Sequence, residues 1–141
     1  PHAGELNGPE AIDHAVTRLH ALRVQHGITV LTDPTLVARL RAAEVCFDVC
    51  PTSNFLLSLV ESIEEHPLPR MLDAGLRCSI NADDPVIFRT SILNEYELCR
   101  DSLGLTDLHL ADCARNSISF SSATAATKQH AFAQIDSWIR G

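Results

Sequence analysis

"LRCSINADDP", residues 76–85, reads as a short buried strand that stops abruptly at a cluster of polar side chains. The same pattern occurs twice upstream. "RVQHG", residues 23–27, ends on a histidine and a glycine, and "VCFDV", residues 45–49, is closed by Cys50 and Pro51. Helical periodicity fills the gaps between them. From Pro9, a good first helical residue, Ile12, Ala15, Val16, Leu19 and Leu22 fall on one face. Asp33 followed by Pro34 is an N-cap with proline in the first turn, and Leu36, Val37 and Leu40 continue a buried stripe. "FLLSLVESIEEH" (55–66) and "PLPRMLDAG" (67–75) predict two further helices, the second ending at Gly75. Three more helical stretches follow residue 90, with Thr106 and Ser122 as caps for the later two and no strand in the last fifty residues.

Strands alternating with helices predict parallel βαβ units, and hence an α/β fold. In such folds ligands gather at the C-terminal ends of the strands, whether the sheet is open or closed. The unusual polar clusters all lie at such ends: "HAGE" (2–5), His26, "CPTSN" (50–54) and "NADDP" (81–85).

Composition narrows the function classes. The chain of 141 residues is one domain's worth, with 45% hydrophobic residues. Its formal charge of -7 comes from 18 acidic and 11 basic residues, the basic ones scattered, which disfavours binding to a nucleic-acid backbone. No run of about eighteen apolar residues predicts a membrane span. The five cysteines are an odd number without a C-x-x-C pair, so free thiols in a reducing cytoplasm are expected and a finger-type structural zinc site is not.

Four groups have the chemistry of a site. His2 and Glu5 set an imidazole beside a carboxylate that can shuttle a proton between metal-bound water and a substrate; the alternative is a solvated pair at a frayed terminus. His26, at a strand end, suits a hydrogen bond to a bound hydroxide or, equally, to a neighbouring carbonyl. Asp83 and Asp84 repel each other, and in an extended chain they point to opposite sides, so one reaches a metal while the other reaches a substrate. Pro85 biases Asp84 toward that extended region; an Asp-Asp-Pro turn capping the next helix is the competing reading. In "CPTSN" neither Cys50 nor Ser53 has the surroundings of a nucleophile, and Ser53 or Asn54 is expected to cap the following helix. The remaining histidines, His66 among them, read as solvated or capping groups at helix boundaries.

Taken in order, "HAGE", "RVQHG", "VCPTSN", "HPLPRMLDAGLRCSINADDP" and "EYELCRD" resemble the C-terminal half of adenosine deaminase-like enzymes in the metal-dependent amidohydrolase group. The resemblance implies half of a (β/α)8 TIM barrel, about strands 5–8 and their helices, with extra C-terminal helices. It implies one catalytic Zn2+, with His2 and Asp83 as metal ligands. Glu5 is then the acid that protonates the purine ring nitrogen N1. His26 orients the attacking hydroxide and helps deprotonate it, and Asp83 contacts the attacking water. Asp84 hydrogen-bonds N7, and Gly4 lets the backbone approach the ring. The implied reaction is hydrolytic deamination of adenosine or a related 6-aminopurine, a purine nucleoside or base being the partner. Adenine and aminodeoxyfutalosine are alternative substrates. The H-x-E and P-C-x-x-C pair of the other nucleobase deaminases is missing.

The sequence departs from that pattern in three places. Gln25 precedes the strand-end histidine where Gly or Asp is usual, and Ala82 stands where Thr or Ser is common. No H-x-H motif is present to supply the other two zinc histidines, and a whole barrel needs about 250 residues. Residues 1–141 are therefore expected to be the C-terminal portion of one deaminase barrel domain, its N-terminal half absent. A non-catalytic truncated half-barrel, its open edges covered by another chain, is the alternative from a different class.

Overall fold

The computed structural model describes all 141 residues, Pro1–Gly141. Four parallel strands form one sheet: β1 (His2–Ala3), β2 (Arg23–His26), β3 (Cys46–Val49) and β4 (Arg77–Ile80). Their spatial order is their order in the chain, with every neighbouring pair parallel. A doubly wound sheet reverses direction at a switch point. Here no reversal occurs, so the strands form a continuous arc of the kind that closes a (β/α)8 barrel.

The helices between strands are α1 (Pro9–Leu19), α2 (Pro34–Ala42), α3 (Pro51–Leu56) and α4 (Leu68–Asp73). After β4 come α5 (Pro85–Phe88), α6 (Ile92–Asp101), α7 (Asp107–Ser119) and α8 (Ala125–Arg140). Pro9, Pro34, Pro51 and Pro85 each open a helix, where the missing N–H costs nothing and the fixed φ suits the first turn. The Asp33 carboxylate accepts from the Thr35 and Leu36 amides, as its sequence position predicts. Thr106 and His109 form a reciprocal capping box at α7. The cap of α8 is Thr124 rather than Ser122, its hydroxyl accepting from the Thr127 amide.

Two helical expectations fail. Leu19 and Leu22 do not continue the buried face of α1, which ends at Leu19 and leaves both exposed. The stretch 55–66 is not a helix: α3 begins earlier, at Pro51, and stops at Leu56, after which residues 57–66 run as turns and bends. Ser58 takes a left-handed backbone (φ 59°), which ends the helical ladder. Phe55, Leu56 and Leu57 consequently stay exposed instead of forming a buried stripe.

The core is one cluster built from Ile12, Val24, Leu40, Phe47, Leu68, Met71, Ile80 and Leu110 with their neighbours. Strand residues alternate between two environments. Val24, Phe47 and Cys78 share a register row and belong to the apolar core, whereas Gln25, Asp48 and Ser79 form the next row and are polar. That polar row is joined internally. Arg23 donates twice to the Asp48 carboxylate, and Gln25 Nε2 and Ser79 Oγ donate to it at 2.7 and 2.6 Å. The bond to Asp48 raises the Arg23 pKa. All five cysteines are free and buried, and no helix is long and apolar enough to cross a membrane.

Candidate active site

The strand ends bring four acidic and imidazole side chains together. His26 terminates β2 and is fully buried, and its Nε2 lies 3.6 Å from Glu5 Oε1 and 3.9 Å from Asp83 Oδ2. His2 Nδ1 stands 3.3 Å from Glu5 Oε2, and the two imidazole rings are 5.0 Å apart between centroids. Residues as far apart in the chain as His2 and Asp83 thus meet at three strand termini, as the βα pattern requires.

The backbone is specialised at these points. His26 (φ 62°) and Asp83 (φ 54°) are both in the left-handed region, uncommon for residues with a side chain and concentrated at functional sites. This corrects the expectation of an extended Asp83-Asp84 pair: Asp83 turns out of the strand direction. Asp84 is exposed, occupies the N-cap position of α5 and makes no capping bond with its side chain. Gly4 also has positive φ (65°), and a Cβ there would lie 2.4 Å from Ile12 Cδ1 and 2.9 Å from Thr29 Oγ1. Packing against α1 is therefore one reason that position holds glycine.

Sequence reasoning missed three members of the site. Ser53 Oγ donates to Asp83 Oδ2 at 2.6 Å, and Asn54 Nδ2 lies 3.1 Å from His26 Nδ1. Asn54 Oδ1 lies 3.1 Å from His66 Nε2, and His66 is buried rather than solvated. Neither Ser53 nor Asn54 caps α3. That helix is anchored instead by the buried Glu95 of α6, whose carboxylate accepts from the Thr52 amide and the Thr90 hydroxyl. Pro67 after His66, and a polar pair beside a buried strand end, were the available signals.

Electrostatics follows burial. Burial is the main cause that lowers the His26 pKa, with Glu5 and Asp83 opposing it. His66 is pushed down to about 4 by burial, helped by Arg70. The Cys50 thiol is pushed up to about 12 by burial and by Asp83, so it stays protonated and unreactive, as expected of a structural cysteine. Gln25, the unusual residue before His26, is occupied by Asp48.

The donor set fits a metal. Ligand atoms of His2, Glu5 and His26 lie within 4.8 Å of one another, as do those of His26, Cys50 and Asp83. Imidazole and carboxylate ligands suit zinc. His26 Nε2 is buried without a hydrogen-bond partner, a cost that a native protein bears where something else is to bind.

An arc of parallel strands with imidazoles and carboxylates converging at its C-terminal ends defines part of a (β/α)8 barrel with a candidate metal site at the usual face. The model of the adenosine deaminase family matches residues 1–138, and the chain belongs to that family. It is 41% identical over 138 residues to an aminodeoxyfutalosine deaminase of Streptomyces avermitilis, covering 98% of this chain and 38% of the relative. The adenine deaminase structure from Arthrobacter aurescens superposes with a TM-score of 0.96 at 36% identity, over 99% of this chain and 43% of the other. A zinc-bound amidohydrolase from Burkhoderia ambifaria gives a TM-score of 0.86 at 30% identity, over 96% of this chain and 39% of the other. The chain thus spans about 40% of the length of the curated relatives it matches.

Proposed function

We propose that the chain is the C-terminal portion of a zinc-dependent deaminase barrel that hydrolyses a 6-aminopurine in the cytoplasm, releasing ammonia and leaving the 6-oxo product. Adenosine is the substrate first favoured by the sequence motifs; adenine and aminodeoxyfutalosine are its rivals, relatives being named for both. The observation that carries the reading is the buried, partnerless Nε2 of His26 facing Glu5 and Asp83 across three strand ends.

His2 and Asp83 are the residues that would hold zinc. A catalytic zinc takes three protein ligands, so at least one more comes from elsewhere in the protein. When bound, zinc supplies Lewis-acid activation of water near neutral pH. Glu5 holds a proton at ring nitrogen N1, so that attack at C6 does not load charge onto the ring. His26 and Asp83 hold the attacking water, Asp84 bonds N7, and the backbone at Gly4 runs beside the ring.

Ammonia release by the full-length protein from adenosine, adenine and aminodeoxyfutalosine, with and without a zinc chelator, tests this. Turnover of one of the three that is lost with zinc removal is expected. No turnover of any, or turnover indifferent to the chelator, refutes the reading.

A further inference from the structure

The hydrogen-bond donors behind His26 form a chain whose direction is fixed at one end. The Leu68 backbone N–H donates to His66 Nδ1 at 3.2 Å. A backbone N–H has no other role, so His66 Nδ1 is an acceptor and the proton of the neutral ring sits on Nε2. That Nε2–H points at Asn54, which must answer with its carbonyl oxygen; the opposite amide orientation would set donor against donor. The Asn54 amide nitrogen is then turned to His26 Nδ1, 3.1 Å away, and donates to it. With Nδ1 accepting, neutral His26 carries its proton on Nε2, the atom that faces Glu5 and Asp83 without a partner.

We infer that Asn54 and His66 are positioning residues which, anchored by the Leu68 N–H, lock His26 in the Nε2-protonated form, so that it presents a hydrogen-bond donor to the site. The consequence for catalysis rests on the deaminase reading; the tautomer itself does not. Nε2 lies among the clustered donors, but a zinc ligand or a base acting through that atom needs its lone pair, which the relay removes; His2 and Asp83 are then the ligands that this chain supplies. His26 therefore donates to the oxygen of the attacking water and fixes where that oxygen sits. The deprotonating role implied by the family resemblance requires the other tautomer. Burial of the relay makes the lock strict: His26, Asn54 and His66 are each at most 2% exposed, so water does not offer substitute partners.

Long-range proton–nitrogen correlation spectra of the zinc-loaded, full-length protein, labelled with nitrogen-15 in histidine, read the tautomer directly. The expected spectrum has a protonated-type Nε2 and a pyridine-type Nδ1 for His26. In Asn54→Asp the carboxylate has no N–H to give, so the proton is expected to move to Nδ1, with kcat falling about 10²–10³-fold as an aimed donor is lost. A wild-type His26 protonated on Nδ1 overturns the inference without any variant, and so does an Asn54→Asp spectrum that keeps the wild-type pattern. Because the ring nitrogens report without turnover, a protein that deaminates nothing yet shows the expected spectrum refutes the proposed function and leaves the tautomer assignment standing.

Discussion

Ser53 Oγ donates a 2.6 Å hydrogen bond to Asp83 Oδ2, tying the first helical turn after β3 to the turn that leaves β4. Hydroxyl-to-carboxylate bonds of this length are charge-assisted, and this one fixes the carboxylate of a residue already in an unfavourable left-handed backbone. If Asp83 holds zinc, Ser53 orients a ligand. Ser53→Ala is then expected to weaken zinc binding about 10–100-fold, the usual cost of losing a partner behind a ligand. The loss of stability should be only about 1 kcal/mol. Competition against a chromogenic chelator measures the first and urea denaturation the second; unchanged zinc affinity would remove Asp83 or Ser53 from the metal site.

Glu5 faces both imidazoles, at 3.3 Å from His2 and 3.6 Å from His26. Glu5→Gln keeps the shape and a polar tip but cannot pass a proton. A fall in kcat of about 10²–10⁴-fold is expected, the range for a lost general acid, with zinc content preserved. Steady-state rates with metal analysis on the same sample decide it. An active variant would assign N1 protonation to another group.

Much of this arrangement was legible in the sequence, and the part that was not has a physical reason. Strands end where local pattern says they end, because a buried run followed by His-Gly, Cys-Pro or Asp-Asp-Pro has few other solutions, and parallel topology then forces His2, Glu5, His26 and Asp83 toward one place. Local pattern assigns Ser53, Asn54 and His66 to caps or the surface because their partners lie 12 to 30 positions away, and hydrogen bonds across space leave no period in a sequence. The failed helix at 57–66 is the same lesson in apolar form: Leu57, Leu59 and Val60 supply helical-looking residues, but the left-handed Ser58 ends the ladder first.

Gly27 and Gly104 separate two reasons for glycine. Both have φ 67°, but a Cβ on Gly27 would lie 2.1 Å from Phe47 Cδ1, while one on Gly104 would meet nothing within 4 Å. Backbone strain alone costs roughly 1–2 kcal/mol, and overpacking a core ring adds roughly 1–3. Gly104→Ala should therefore destabilise by about 1 kcal/mol and Gly27→Ala by about 3 or more. Equal losses in urea denaturation would mean that Phe47 moves aside freely.

His66 links the polar relay to the pH dependence of stability. Its pKa falls from an ordinary 6.5 to about 4 on folding, chiefly because burial disfavours the imidazolium, with Arg70 adding repulsion. Between those values the unfolded chain binds a proton that the folded chain refuses, so stability rises with pH across the window. Above about pH 6.5 both states are neutral at this position and the contribution is complete. As pH falls toward 4 it is lost, on the order of 3 kcal/mol in all. Denaturation at a series of pH values from 7 to 4.5 should show that loss in the wild type, and His66→Gln, which has no proton to refuse, should show a shallower slope. Parallel slopes would mean that His66 takes up its proton as readily folded as unfolded, and the burial that shields the His26 relay would then be incomplete.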